Sequence, residues 1–348
     1  GICSGSMISC TPVVPLALRN SCSCFVGSGS VALPEHRAQI LFLPELRRGH
    51  GIGHIVRSAD LASRISGAAL VLPAAEDWNP TLHPRKRVVE IVTAVSPRIP
   101  LVPEAADRAG ALLVLDRREV SIAEMQRFLE GGPVVGLDLG GAGRTMASFL
   151  VDCIDRWQFH PPNATRTDLL PLPRRRRGSP PKLHNPRVLV SLGGEDPAED
   201  GPRIAQALGN AGYVVDHLGP VVSSPARFDS SLPQRMADYD VVVCGFGLTA
   251  LQAKAAGCRV LVIPISRYHR RLARSWGFPV ASGPSATLRR VSEWSLHGDS
   301  AGTPRGESLV RPGGLLEADP EAGAAWLAAL AVRGPWRCPV CSASEGST

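Results

Sequence analysis

The chain has 348 residues, a net charge of +7 and 44% hydrophobic residues, which is typical of a globular protein. This length predicts two domains, because one core usually serves about 100–200 residues. The positive charge suits an anionic ligand. Aromatic residues make up only 5% of the chain, too few for base-stacking surfaces, and we do not expect nucleic-acid binding.

The two ends of the chain predict little regular structure. Residues 1–36 are rich in Ser, Gly and Cys and predict a poorly ordered leader. Prolines interrupt its one apolar stretch, and no run approaches the roughly 20 apolar residues that span a bilayer, so we expect a cytoplasmic protein. The predicted tail, 333–348, carries Cys338 and Cys341 in C-P-V-C, which is either an exposed pair of thiols or half of a zinc site.

From residue 38 onward, short apolar runs alternate with amphipathic ones. The apolar runs predict buried strands over 38–44, 68–73, 109–116, 133–141, 187–194, 213–219, 240–247 and 258–265. Amphipathic runs predict helices over 54–66, 121–132, 200–212, 232–239, 248–257, 267–277 and 317–332. Such alternation predicts an α/β protein with two doubly wound, Rossmann-like parallel sheets and a cleft between them.

A proline-rich stretch divides the alternating pattern into two domains. The boundaries predicted are 37–165 for the first domain, 166–186 for a linker and 187–332 for the second domain. Four arginines, 174–177, lie in the linker, where a solvated run is the ordinary interpretation.

Three glycine-rich turns follow predicted strands. Gly51 and Gly53 precede His54 at a helix start, and Gly193 with Gly194 ends a strand before Asp196-Pro197. A third turn contains Gly245, Gly247, Leu248 and Thr249, with Gln252 one helical turn later. Glycine lets the backbone approach a ligand closely, and a helix N-terminus favours anions. Each turn alone is also typical of an ordinary strand-to-helix connection.

Taken together, these motifs resemble the GT-B glycosyltransferases related to the lipid II-forming N-acetylglucosaminyltransferase and the UDP-sugar hydrolase of the pseudaminic acid pathway. The matching stretches are Gly-x-Gly-His-x-x-Arg with Arg57, Gly-Gly-x-Asp-Pro, and the turn and helix from Gly245 to Gly257. The resemblance covers roughly residues 38–332. One departure is Gln252, where the family usually places a glutamate on the nucleotide ribose.

The resemblance implies a first domain for the acceptor and catalysis and a second for the nucleotide sugar. His54 would be the catalytic base, with Gly51, Gly53 and Arg57 binding acceptor or substrate. The second domain would bind the nucleotide of a UDP-sugar, through Gly193, Gly194, Gly245, Gly247, Leu248, Thr249, Gln252 and His269.

The function predicted is therefore an inverting glycosyltransferase that needs no metal or other cofactor. Its acceptor would be a sugar or a lipid-linked molecule. Arg47-Arg48 and the arginines of 267–274 would allow peripheral contact with an anionic membrane, although a solvated surface is the ordinary interpretation of such residues. A UDP-sugar hydrolase using the same base remains an alternative, as does a non-catalytic sugar-nucleotide-binding module.

Overall fold

The structure is a computed structural model, and it describes residues 40–45, 47, 52–72, 85–103, 110–154, 160–193, 196, 198–219, 228–297 and 318–333. The predicted leader and tail, with Cys338 and Cys341, lie outside these described residues.

The first half of the described chain forms a seven-stranded parallel sheet in the order β3-β2-β1-β4-β5-β6-β7. Its strands are β1 Ile40–Pro44, β2 Ala68–Leu72, β3 Leu101–Pro103, β4 Leu112–Asp116, β5 Val134–Leu137, β6 Phe149–Asp152 and β7 Ala164–Thr165. The α-helices described between them are α1 Gly53–Arg64, α2 Arg85–Val95 and α3 Ile122–Gly131. Strand order reverses between β1 and β4, which is where ligands of doubly wound sheets bind.

The second half forms a four-stranded parallel sheet in the order β11-β10-β8-β9. Its strands are β8 Arg187–Ser191, β9 Val214–His217, β10 Val241–Cys244 and β11 Arg259–Val262. The α-helices described in this part are α4 Asp200–Asn210, α5 Leu232–Arg235, α6 Leu248–Ala255, α7 Arg267–Ser275, α8 Gly283–His297 and α9 Pro320–Arg333. Here the order reverses between β8 and β10. Two separate parallel sheets confirm the predicted α/β class.

Helices cover both faces of the central strands, which explains their continuously apolar sequences. In β4, the side chains of Leu112 and Val114 join the cluster that contains Ile55 of α1, whereas Leu113 and Leu115 join the cluster on the opposite face. Successive strand residues point to opposite faces, so β4 is fixed between two cores. No helix of the described ranges is both long enough and apolar enough to cross a bilayer.

The last helix packs against the first half of the chain, although the sequence prediction assigns it to the second domain. In α9 the ring of Trp326 lies 6.2 Å from that of Phe149 in β6. A Cβ added to Gly323 would lie 2.3 Å from the carbonyl oxygen of Asp168, so the backbones of α9 and the 167–169 turn are in direct contact. Nothing local in the sequence of α9 indicates this return.

The predicted linker is also more ordered than its prolines suggest. Leu169, Leu170 and Leu172 are buried in the core, because their apolar side chains fill the space beside α9. Of the four arginines, Arg177 is largely buried and donates to the carboxylate of Asp240 at 2.7 Å. The solvated-run interpretation therefore fails for Arg177, whose charge is paired.

Several elements escape the sequence analysis because they are short or follow proline-rich stretches: α2, β3, β6, β7 and α8. The predicted helices begin and end within a few residues of the observed ones, except that 232–239 is split into α5 and a 3-10 turn, Met236–Asp238.

Candidate active site

A histidine and an aspartate meet at the edge of the first sheet where the strand order reverses. His54 is the second residue of α1, and Asp116 is the last residue of β4. Their Nδ1 and Oδ1 atoms lie 2.6 Å apart. An ionised carboxylate can only accept, so Nδ1 donates its hydrogen and Nε2 keeps its lone pair. This geometry makes Nε2 the atom that can take a proton from a substrate.

Strand alternation directs Asp116 toward α1. Asp116 has the same parity in β4 as Leu112 and Val114, whose side chains pack with Ile55 of α1. The register Pro44↔Asp116 and the hydrogen bond from the Glu45 N–H to the Asp116 carbonyl, 2.8 Å, fix its height along the sheet. The carboxylate is therefore held beneath the first turn of α1.

Two further side chains of α1 donate to this carboxylate. Arg57 makes a bidentate contact, Nε to Oδ2 at 2.9 Å and Nη2 to Oδ1 at 2.5 Å, and the Ser58 hydroxyl donates to Oδ2 at 3.2 Å. Burial by itself would raise the pKa of Asp116, but the charge of Arg57 and the hydrogen bonds from Arg57 and His54 lower it far below its usual value. Asp116 is therefore an anion at neutral pH.

Arg57 is itself buried, and only 6% of the residue is exposed. Its Nη1 donates to Oδ2 of Asp138, the residue after β5. Burial would lower the pKa of Arg57, yet its two carboxylate partners raise it well above the usual value. The acceptor-binding role predicted for Arg57 stays a prediction, because the structure gives its guanidinium partners inside the protein.

The N-termini of α1 and α6 come together in front of the two sheets. A Cβ added to Gly53 would lie 3.8 Å from the Cβ of Leu248, the first residue of α6. Neither helix has a side-chain cap, and neither carries an acidic residue in its first turn. Unpaired N–H groups and the positive ends of both helix dipoles therefore face one region, which favours an anionic group there.

The described glycines of the second sheet, Gly193, Gly245 and Gly247, lie in the turns after β8 and β10. Gly193 has φ +102°, a conformation that side chains rarely adopt. A Cβ on Gly245 would lie 3.2 Å from the carbonyl oxygen of Leu192, so the turns after β8 and β10 touch. Gly247 is the N-cap of α6, and Thr249 lies in its first turn. Gly51 and Gly194 lie outside the described residues.

Two predicted nucleotide-binding side chains have partners within the protein. Gln252 is 4% exposed, and its amide donates to the carbonyl of Pro171 at 2.7 Å. This contact ties α6 to the linker, so Gln252 does not point freely toward the turn as its helical position predicts. His269, in the first turn of α7, pairs through Nδ1 with the Ser266 hydroxyl at 2.7 Å. Their nucleotide contacts stay predictions.

One aromatic contact joins the two halves at this same edge. The Arg118 guanidinium, two residues beyond Asp116, lies 5.2 Å from the ring centre of Tyr268 in α7. A cation at this distance over an aromatic face is attracted to it. The contact brings the first turn of α7 close to the end of β4.

Sequence reasoning missed both Asp116 and Asp138. Asp116 ends the predicted strand 109–116 and Asp138 lies within the predicted strand 133–141, so a carboxylate in an otherwise apolar run was the available signal. Their relation to His54 could not be deduced, because they follow it by 62 and 84 residues and only the strand order brings them together.

The two Rossmann-like parallel sheets, whose strand ends approach each other at this edge, form a GT-B type of fold. No protein-family model matches the sequence, and none of the curated proteins does. Solved structures do match in fold.

A protein from Listeria monocytogenes assigned as a UDP-N-acetylglucosamine 2-epimerase matches over 84% of this chain and 96% of its own, with a TM-score of 0.51 and 12% identity. A UDP-GlcNAc 2-epimerase from Neisseria meningitidis, bound to UDP-GlcNAc, matches over 83% and 99%, with a TM-score of 0.50 and 8% identity. The calicheamicin glycosyltransferase CalG4 matches over 85% and 98%, with a TM-score of 0.48 and 13% identity. At these identities the likeness concerns the fold.

Proposed function

We propose that the protein is an inverting glycosyltransferase that uses a UDP-sugar without a catalytic metal. The observation that carries the proposal is the contact between His54 Nδ1 and Asp116 Oδ1, at 2.6 Å. His54 lies in the first turn of α1, whose N-terminus meets that of α6. A base beside an anion-binding pair of helix ends is what transfer from a sugar diphosphate requires.

In the proposed reaction, Nε2 of His54 accepts the proton of an acceptor hydroxyl while the hydroxyl oxygen attacks the anomeric carbon of the donor sugar. The bond from that carbon to the UDP oxygen breaks on the opposite face, and its electron pair leaves with UDP. Asp116 stabilises the imidazolium that forms. The N–H groups of α1 and α6 stabilise the growing charge on the diphosphate.

For donor binding we propose Gly193, Gly245 and the first turn of α6, with His269 near the phosphates. Gly194 and Gly51 are proposed from the sequence alone. Gln252 is the least supported member, since its amide already has a partner in Pro171. A neutral amide there would also bind ribose hydroxyls differently from the glutamate that the family uses.

The test is UDP release from a panel of UDP-sugars, with and without sugar and lipid-linked acceptors, with the sugar products identified by NMR. Acceptor-dependent release with inverted configuration supports the transferase. Release that needs no acceptor indicates the hydrolase, and an isomerised UDP-sugar would indicate the epimerase activity named for the fold neighbours. UDP binding without turnover across the panel would indicate a binding module.

A matched pair of variants assigns the base. His54→Ala should lower kcat by about 10²–10⁴-fold if His54 abstracts the proton. His184→Ala removes an exposed histidine outside this edge and should leave kcat unchanged. Full activity of His54→Ala would remove this histidine from the mechanism.

We also propose that α7 contacts an anionic membrane face. The helix has no acidic residue, Arg267, Arg271 and Arg274 are exposed, and Ile265 and Tyr268 are 59% and 41% exposed beside them. Arginines with neighbouring apolar side chains favour an anionic lipid surface. The double substitution Arg267→Glu/Arg274→Glu should abolish sedimentation with phosphatidylglycerol vesicles, and equal binding by the variant would contradict this proposal.

A further inference from the structure

Four donors converge on the Asp116 carboxylate. Oδ1 accepts from His54 and from Nη2 of Arg57, and Oδ2 accepts from Nε of Arg57 and from Ser58. A carboxylate offers about four lone-pair sites, so these donors fill it. With every site occupied, Asp116 cannot rotate without breaking a contact to Arg57.

Arg57 is in turn held by a second, independently fixed carboxylate. Asp138 accepts on Oδ2 from Arg57, and on Oδ1 from the backbone N–H groups of Cys153 and Ile154, at 2.9 and 3.2 Å. Its backbone has φ +47°, which is uncommon for a residue other than glycine. Such a conformation persists only where the surroundings hold it.

The left-handed backbone at Asp138 interrupts the alternation of β5. Leu137 packs on the α1 side of the sheet, and the next position would ordinarily face the other side. The carboxylate instead reaches Arg57 of α1. A chain of contacts therefore runs from the backbone just after β6 through Asp138, Arg57 and Asp116 to His54.

We propose that Arg57, anchored by Asp138, is a positioning residue that fixes Asp116 so that His54 keeps its hydrogen on Nδ1 and its lone pair on Nε2. This inference rests on the proposed role of His54 as base. It gives Arg57 a role behind the base and none on the substrate.

The experiment is NMR of ¹⁵N-histidine-labelled protein, with the His54 signals assigned by their loss in His54→Gln. The native protein should show the Nδ1–H tautomer. In Arg57→Gln the Nδ1–H and Nε2–H tautomers should mix. Where turnover is measurable, kcat should fall about 10²-fold with little change in KM.

Three further variants make the result decisive. Arg57→Lys keeps the charge but loses the bidentate contact, and it should restore the Nδ1–H tautomer in part. Ser58→Ala removes a neutral donor from the same carboxylate and should leave the tautomer native. If Arg57→Gln does not fold, Asp138→Asn, which retains an acceptor for the amides of Cys153 and Ile154, should give a smaller change in the same direction.

A native tautomer in folded Arg57→Gln, or in Asp138→Asn when the first variant does not fold, would overturn the inference. The NMR readout needs no substrate. If the tautomer changes as expected but no UDP-sugar is turned over, the proposed function fails and the positioning role stands.

Discussion

Asp116→Asn tests the His54–Asp116 pair with the smallest change in shape. Asparagine offers one oxygen where the carboxylate offers two, while Arg57 donates to both positions, at 2.9 and 2.5 Å. When the amide oxygen accepts from Arg57 Nε, the NH₂ group opposes the Arg57 Nη2 donor, and it also faces His54 and moves the imidazole hydrogen to Nε2. The reverse orientation keeps the acceptor for His54 but sets the NH₂ group against the Nε donor of Arg57. In either orientation His54 loses its tautomer or the substituted side chain loses part of its contact with Arg57.

The expected loss in kcat is about 10²–10⁴-fold, the range for a general base or for an aspartate that orients a histidine. This corresponds to about 3–5 kcal/mol of transition-state stabilisation at 1.36 kcal/mol per decade. Breaking a buried ion pair also costs about 3–5 kcal/mol of unfolding free energy, and we expect the lower end because Arg57 retains Asp138.

The matched control is Asp152→Asn. Asp152 is buried and makes an equivalent bidentate pair with Arg144, at 3.0 and 2.9 Å, without contacting His54. It should lose comparable stability in urea titrations while keeping kcat, measured where both variants are folded. If the two variants have kcat values within a few-fold of each other, the role assigned to Asp116 is refuted.

Three further predictions concern packing, the contact between the two halves and acid stability. Gly323→Ala places a methyl group against the carbonyl oxygen of Asp168, so it should lower the urea midpoint and the unfolding free energy by about 1–3 kcal/mol. The control Gly209→Ala, whose added Cβ has no atom within 4 Å, should raise the midpoint. Equal shifts in the two variants would contradict the α9 packing. Tyr268→Ala removes the ring beside Arg118 and should weaken UDP binding about 2–5-fold, measured by calorimetry. Tyr268→Phe keeps the ring and should keep the affinity. Identical affinity in the native protein and both variants would show that this contact plays no part in donor binding. The pKa of Asp116 is lower in the folded than in the unfolded state, so ionised Asp116 stabilises the fold fully above its unfolded pKa of about 4, and this stabilisation is lost as pH falls below that value. Asp116→Asn should therefore flatten the fall in unfolding free energy between about pH 5 and pH 2. Parallel curves for the two proteins would show that Asp116 contributes little.

The sequence supports the fold more completely than the site because strands and helices are local patterns. The apolar run at β1 and the amphipathic run at α1 can each be recognised within about a dozen residues of sequence. The four residues of β6 and the two of β7 are too short to stand out, and their pairing depends on neighbours in the sheet. The helix position of Gln252 was deduced correctly, but its side-chain partner, Pro171, is 81 residues away.

Strand order explains why His54 could be found from the sequence while Asp116 could not. Parallel strands need a crossover, so β4 becomes the neighbour of β1 only after two intervening strands have been placed on the other side. Once that order exists, the turn after β1 and the end of β4 must share an edge, and the five-residue register from Ile40↔Leu112 to Pro44↔Asp116 sets their relative height. A slip of one residue would turn Asp116 to the opposite face, away from α1. The pairing of base and carboxylate thus depends on the same apolar packing of β4, Leu112 and Val114 beneath α1, that stabilises the first core.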